Sequence, residues 1–185
     1  MRKLVLGMLL LALAATPVLA QSDSDTVLVT AAVTGVINFD IAAGAVDFQA
    51  VDAACVSALN GKTCAAGDGF ATWEYDNATT WTLDIAPRRA AQIETGASSV
   101  SGGSLVLGDL DVRIEAATVG GVGTGTSQGW VDIAASGNDV YTGMANVGAG
   151  TNHRATGDLD FQLIVEDTDA VGVTTFTVQL TASTV

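Results

Sequence analysis

Apolar and polar residues alternate with a period of two along most of the chain. Val27, Val29, Ala31 and Val33 share one face of a first strand, with Leu28, Thr30 and Thr34 on the other. Gly35 interrupts the alternation, and Ile37, Phe39 and Ile41 resume it on a shifted phase, as a bulge or kink produces. Val46 and Phe48 point inward from a short strand that follows. Ala71, Trp73 and Tyr75 then alternate with Thr72, Glu74 and Asp76, and Trp81, Leu83 and Ile85 with Thr82 and Asp84. Asp76-Asn77 between the two runs reads as a turn, which predicts a hairpin. Pro87 lacks a backbone N–H and marks a strand end or a sheet edge.

The second half repeats the pattern. Leu110, Val112 and Ile114 face inward, while Asp109, Asp111, Arg113 and Glu115 face water. Trp130 to Ile133 and Val140 to Thr142 are short strands around the turn Ser136-Gly137-Asn138. Leu159, Phe161, Leu163 and Val165 alternate with Asp160, Gln162 and Glu166, and Phe176, Val178 and Leu180 with Thr175, Thr177, Gln179 and Thr181. Joined across Asp167 to Gly172, these two runs predict a closing hairpin. The total is about nine or ten short strands with no helical period beyond the first twenty residues. One apolar and one polar face per strand predicts an all-β, antiparallel β-sandwich, Ig-like or jelly-roll-like.

The opening residues change the compartment. Met1-Arg2-Lys3 is a positive start, Leu4 to Ala15 an apolar run, and Val18-Leu19-Ala20 a small-residue cleavage site after Thr16-Pro17. Residues 1–20 are expected to be a cleaved signal peptide, and residues 21–185 a single secreted domain beginning at Gln21. No later apolar run is long enough to span a bilayer, so the mature chain is expected to carry no transmembrane segment. The expected location is secreted or at the cell surface, with a periplasm as the third setting an export signal serves. Cys55 and Cys64 are the two cysteines, and an oxidising compartment predicts a disulfide between them.

Charge and composition narrow the partners. Lys plus Arg number 7 against 20 Asp plus Glu, for a net charge of −13, which excludes nucleic acid as a partner. With 49% apolar and 15% charged residues, the chain has enough apolar surface to fold. The acids keep a β-rich surface soluble and discourage random pairing of sheet edges.

Candidate chemistry is sparse. Gly125-Thr126-Ser127-Gln128-Gly129 matches GxSxG, and Asp139 and His153 follow in triad order. The nucleophile elbow, however, needs a strand entering a helix, and Trp130 instead begins a strand. His153 is the sole histidine and reads as a solvated loop residue. Asp167-Thr168-Asp169 begins like an EF-hand loop, but Val178 stands where the bidentate acid is required. Gly120-Gly121-Val122-Gly123 begins like a calcium β-roll repeat, with Gly125 in place of its Asp. No cofactor is indicated, and an irregular Ca²⁺ site among loop oxygens is the one metal reading left open. Trp73 and Trp81 fall on core phases, whereas Trp130, at a loop–strand boundary, is the candidate ligand contact. Asn77-Ala78-Thr79 is a glycosylation sequon.

Three segments carry a resemblance. Ala45-Val46-Asp47-Phe48-Gln49 is similar to the V-D-F-G segment of exported β-sandwich proteins of prokaryotic cell surfaces, with Gln49 in place of the Gly. Trp81-Thr82-Leu83 resembles the W-x-L strand of WxL-type surface domains, and Leu159 to Ser183 resembles their closing strands. The family's second W-x-L is missing, since Val178-Gln179-Leu180 lacks the Trp. The resemblance implies a wall-associated or fibre-forming surface protein.

The expected function is a non-catalytic structural or adhesive protein, in its specific form a fibre subunit. Residues 26–34, with Val27, Val29, Ala31 and Val33 as the apolar face, would add as a strand to a neighbour's sheet. Its partners would be copies of itself or other cell-surface components. The alternative is a secreted glycan- or Ca-binding module that uses loops 96–104, 118–129 and 143–157.

Overall fold

The computed structural model describes residues 36–42, 46–56, 61–119, 125–150 and 153–185. The expected signal peptide 1–20 and the strand face Val27, Val29, Ala31 and Val33 lie outside the described residues.

The described chain is all-β. Its strands are β1 (Val36–Ile41), β2 (Thr63–Ala66), β3 (Phe70–Ala86), β4 (Arg89–Thr95), β5 (Ser99–Gly102), β6 (Leu110–Arg113) and β7 (Ala117–Val119). There follow β8 (Thr126–Ser127), β9 (Val131–Asp132), β10 (Asp139–Val147), β11 (Ala155–Glu166), β12 (Thr174–Thr177) and β13 (Leu180–Thr184). The helical element among them is a single 3₁₀ turn, Leu107–Asp109. The thirteen strands exceed the nine or ten that the alternation suggested. The additional ones are stretches of two to four residues such as β2, β7 and β8, too short for a period to register in the sequence.

Every pairing is antiparallel. The larger sheet runs β1-β3-β11-β6-β9, with β2 also on β3 and β7 also on β11. A second sheet runs β13-β4-β10-β8, and β12 pairs with β5 as a separate ribbon. In the larger sheet β11 occupies one side of β3 from Phe70 to Leu83, so β1 and β2 share the other side.

Two expected hairpins do not form. Asp76-Asn77 is a bulge inside β3 rather than a turn between strands. The register passes from Leu159↔Thr79 to Phe161↔Tyr75, leaving β3 two residues longer than β11 at this point. An even excess keeps Trp73 and Trp81 on one face, since side chains alternate with a period of two. Asn77 adopts φ 52°, a left-handed conformation that Asn tolerates in bulges as well as in turns. The residues signalled a backbone conformation, and both devices satisfy it.

The closing hairpin is likewise replaced. β11 is flanked by β3 on one side and by β6 and β7 on the other, which leaves no edge for the residues after it. Phe176 therefore lies on β12 against β5, and Leu180 opens β13 against β4.

The core is one hydrophobic cluster fed by both sheets. The larger sheet contributes Trp73, Trp81, Leu83, Val112, Leu159 and Leu163, and the second contributes Ala91, Ile93, Val140, Tyr141, Met144 and Val147. Truncating a tryptophan buried like Trp73 or Trp81 costs about 3–5 kcal/mol. The Trp73 indole N–H donates to the Asp52 carbonyl at 2.9 Å. Inside the cluster the Tyr141 hydroxyl accepts the Ala117 backbone N–H at 3.1 Å, joining β10 to β7.

Candidate functional site

Trp130, the candidate ligand contact, is held by a charged cluster built on β6 and β11. Arg113 ends β6 directly opposite Asp160 of β11. The Asp160 side chain is only 4% exposed, and that of Arg113 is 19% exposed. The Arg113 Nε–H donates to Asp160 Oδ2 at 3.0 Å, and a terminal nitrogen lies 2.9 Å from the same oxygen. That terminal nitrogen also donates to Asp76 Oδ1 at 3.1 Å and lies 3.4 Å from Glu115. Asp160 Oδ1 accepts the Asn77 N–H at 2.8 Å, so one buried carboxylate serves both the ion pair and the β3 bulge.

The guanidinium carbon of Arg113 stands 4.1 Å from the centre of the Trp130 ring, a cation–π contact. Trp130 is thus half-buried with one ring face occupied, and a ligand ring could reach that face only by displacing Arg113. The phase of β6 predicted that Arg113 faces water. Instead its stem and head cover the tryptophan, as long cationic side chains do over apolar surface.

Acidic residues gather a second time at the β6–β9 pair, where Asp111 stands directly opposite Asp132. Burial, and after it the Asp132 charge, pushes the Asp111 carboxyl above the ordinary aspartate range. Asp132 Oδ1 is engaged with the Ala134 N–H at 2.7 Å. Among the described residues no group of three or more His, Cys, Asp or Glu side chains converges as a metal site. In the Asp167-Thr168-Asp169 turn, Asp169 Oδ2 accepts the Glu166 N–H at 2.8 Å, and Ser104 donates to Oδ1 at 3.3 Å.

The GxSxG residues are not assembled. Ser127 lies on β8 opposite Tyr141, and its hydroxyl accepts the Gly129 N–H at 3.2 Å. Asp139 opens β10 opposite Glu94. His153 is bonded through Nε2 to the Arg88 guanidinium rather than to either of them. Arg154 beside it forms an ion pair with Asp84 at 2.9 Å, and Asp84 also accepts the Gly150 N–H at 3.1 Å.

Cys55 and Cys64 form the expected disulfide, with Cα atoms 5.7 Å apart. Cys64 lies on β2 opposite Trp73, so the bridge fastens the segment around Asp52 over the indole to which it is hydrogen-bonded.

A shallow groove lies at the seam between the two sheets. Among the described residues β1 is an edge of the larger sheet and β13 an edge of the second. Between them lies a groove of about 370 Å³ walled by Val36, Ile37, Ile85, Pro87 and Thr184, with Arg89 beside them. Burial fades towards this groove along both strands. On β1, Ile41 and Phe39 are half-buried against the core, whereas Ile37, of the same phase, is 43% exposed. On β13, Leu180 is buried, Ala182 half-buried and Thr184 exposed.

Sequence reasoning missed the burial of Asp160 and the Arg113 cluster, because the groups bonded to Asp160, the Asn77 N–H of the β3 bulge and Arg113 of β6, lie on other strands. The exposed phase of Ile37 could have been found only by knowing which strand fails to cover it. The chain matches no protein-family model, and no curated protein matches it significantly. No described helix is long and apolar enough to cross a membrane.

Proposed function

We propose that this chain is a non-catalytic, exported structural or adhesive protein of the cell surface, a fibre subunit that assembles by β-strand addition through residues 26–34. The observation that carries the reading is the seam: two sheet edges with an apolar groove between them. An unpaired edge is a template for another strand, and natural domains otherwise shield it with charge, proline or a covering segment. Residues 26–34 alternate in the manner of an added strand, whose main-chain hydrogen bonds give affinity and whose alternate side chains give register. Repeated head to tail, such a contact builds an open filament.

The same proposal takes the two sheets as the layers of a β-sandwich. It is supported by the single core cluster to which both contribute. Export is supported by the signal-like residues 1–20 together with the disulfide.

Negative-stain electron microscopy and gel filtration of the processed chain, residues 21–185, test the proposal. Filaments or a ladder of oligomers are expected, and deleting residues 21–34 should leave folded monomers. A processed chain that stays monomeric at every concentration would overturn it.

A further inference from the structure

We propose that Asn77 is a modification site, the acceptor of an N-linked glycan added while the chain is exported. This rests on the export half of the reading above and adds a covalent site to it. Asn77-Ala78-Thr79 is the acceptor pattern of exported chains. Asn77 is the one asparagine of the chain with Ser or Thr two positions on.

The fold leaves the acceptor group outside. Asp160 holds Asn77 through its main-chain N–H at 2.8 Å, so the backbone is pinned while the residue stands exposed on the bulge. On the side of β3 away from β11, the pairing with β2 stops at Glu74 and the pairing with β1 starts at Trp81. Between them, Tyr75 to Thr79 pair with no strand on that side among the described residues. A bulky, solubilising group attached there meets no flanking strand. It also shields a stretch of open edge that would otherwise template a foreign strand.

Backbone conformation alone does not account for the motif. Asn146 takes nearly the same left-handed φ, 56° against 52°, yet Gly148 stands two residues on. Thr79 adds the hydroxyl that the acceptor pattern requires. In the folded chain that hydroxyl donates to the Ala42 carbonyl at 3.1 Å, one residue beyond the end of β1. The hydroxyl is free only before β1 closes on β3, which places the transfer ahead of folding. In the step itself, Asn77 Nδ2 bonds to the anomeric carbon of a sugar carried on a lipid phosphate. The carbon–oxygen bond to that phosphate breaks with its electron pair, and the amide proton passes to a base of the transferring enzyme.

Mass spectrometry of the chain isolated from its own source tests the proposal. The peptide holding Asn77 should carry a sugar mass, on a chain that begins at Gln21. Thr79→Ser should keep that mass, and Thr79→Ala should lose it entirely. Asn77→Asp should lose it as well, and it serves if Thr79→Ala does not fold, because Asp also tolerates the left-handed conformation. A chain that begins at Gln21 with Asn77 bare, or a sugar mass that survives Asn77→Asp, overturns the proposal and leaves export standing. A chain that keeps residues 1–20 and carries no sugar overturns both.

Discussion

Arg113 and Asp160 form an ion pair at 2.9 Å in which the carboxylate is almost wholly enclosed, and the same carboxylate caps the Asn77 N–H of the neighbouring strand. The pair thus couples β6, β11 and the β3 bulge. Removing one partner of such a pair leaves the other without compensation, at a cost of about 3–5 kcal/mol. Asp160→Ala should lose about that much in urea denaturation, and Arg113 should move off Trp130. Asp160→Asn keeps an oxygen for the Asn77 N–H and should lose less. Indole fluorescence follows the Arg113–Trp130 contact separately from global stability.

Tyr141 reaches from β10 to the Ala117 N–H of β7 within the core. Tyr141→Phe keeps the ring but leaves that buried donor unsatisfied, a loss of about 1–3 kcal/mol. Equilibrium unfolding should register the loss, and amide hydrogen exchange at Ala117 should accelerate.

Asp111 supplies a pH dependence of definite sign. Its carboxyl is raised in the folded protein, first by burial and then by Asp132, so the native state holds this proton more tightly than the unfolded chain. Its contribution to stability is full below the ordinary aspartate pKa and is lost as pH rises through the raised value. Asp111→Asn stays neutral throughout. The variant should be the more stable protein at neutral pH, with the gap closing as the pH falls below the aspartate range. Urea midpoints of both proteins across a pH series measure this.

Reduction of Cys55–Cys64 releases a short loop, which loop-closure entropy values at about 2–3 kcal/mol. A thermal-unfolding series with and without reductant should show that loss. The far-ultraviolet β signal should survive at low temperature, because the core strands β3, β4, β10 and β11 lie outside the loop.

The all-β class was legible because alternation is local, and Leu110, Val112 and Ile114 are as buried as their phase required. Trp73 and Trp81 also kept their assigned face, even though the turn between them proved to be a bulge. Which strands pair is not local. The run ending at Val165 and the run from Phe176 have hairpin spacing, yet β11 is already flanked on both sides, and β12 and β13 go to β5 and β4. The same non-locality hid the candidate sites. Nothing near Asp160 in sequence announces Arg113, and nothing near Ile37 announces Thr184.

The ladder between β3 and β11 sets an order on the life of the chain. Phe70 to Leu83 must wait for Ala155 to Glu166 before the middle of the larger sheet can close. Throughout synthesis up to that point the long strand lacks its principal partner, and sheets that depend on such distant pairing form slowly. What has already been made therefore cannot lock into its final shape until the segment from Ala155 to Glu166 has itself emerged.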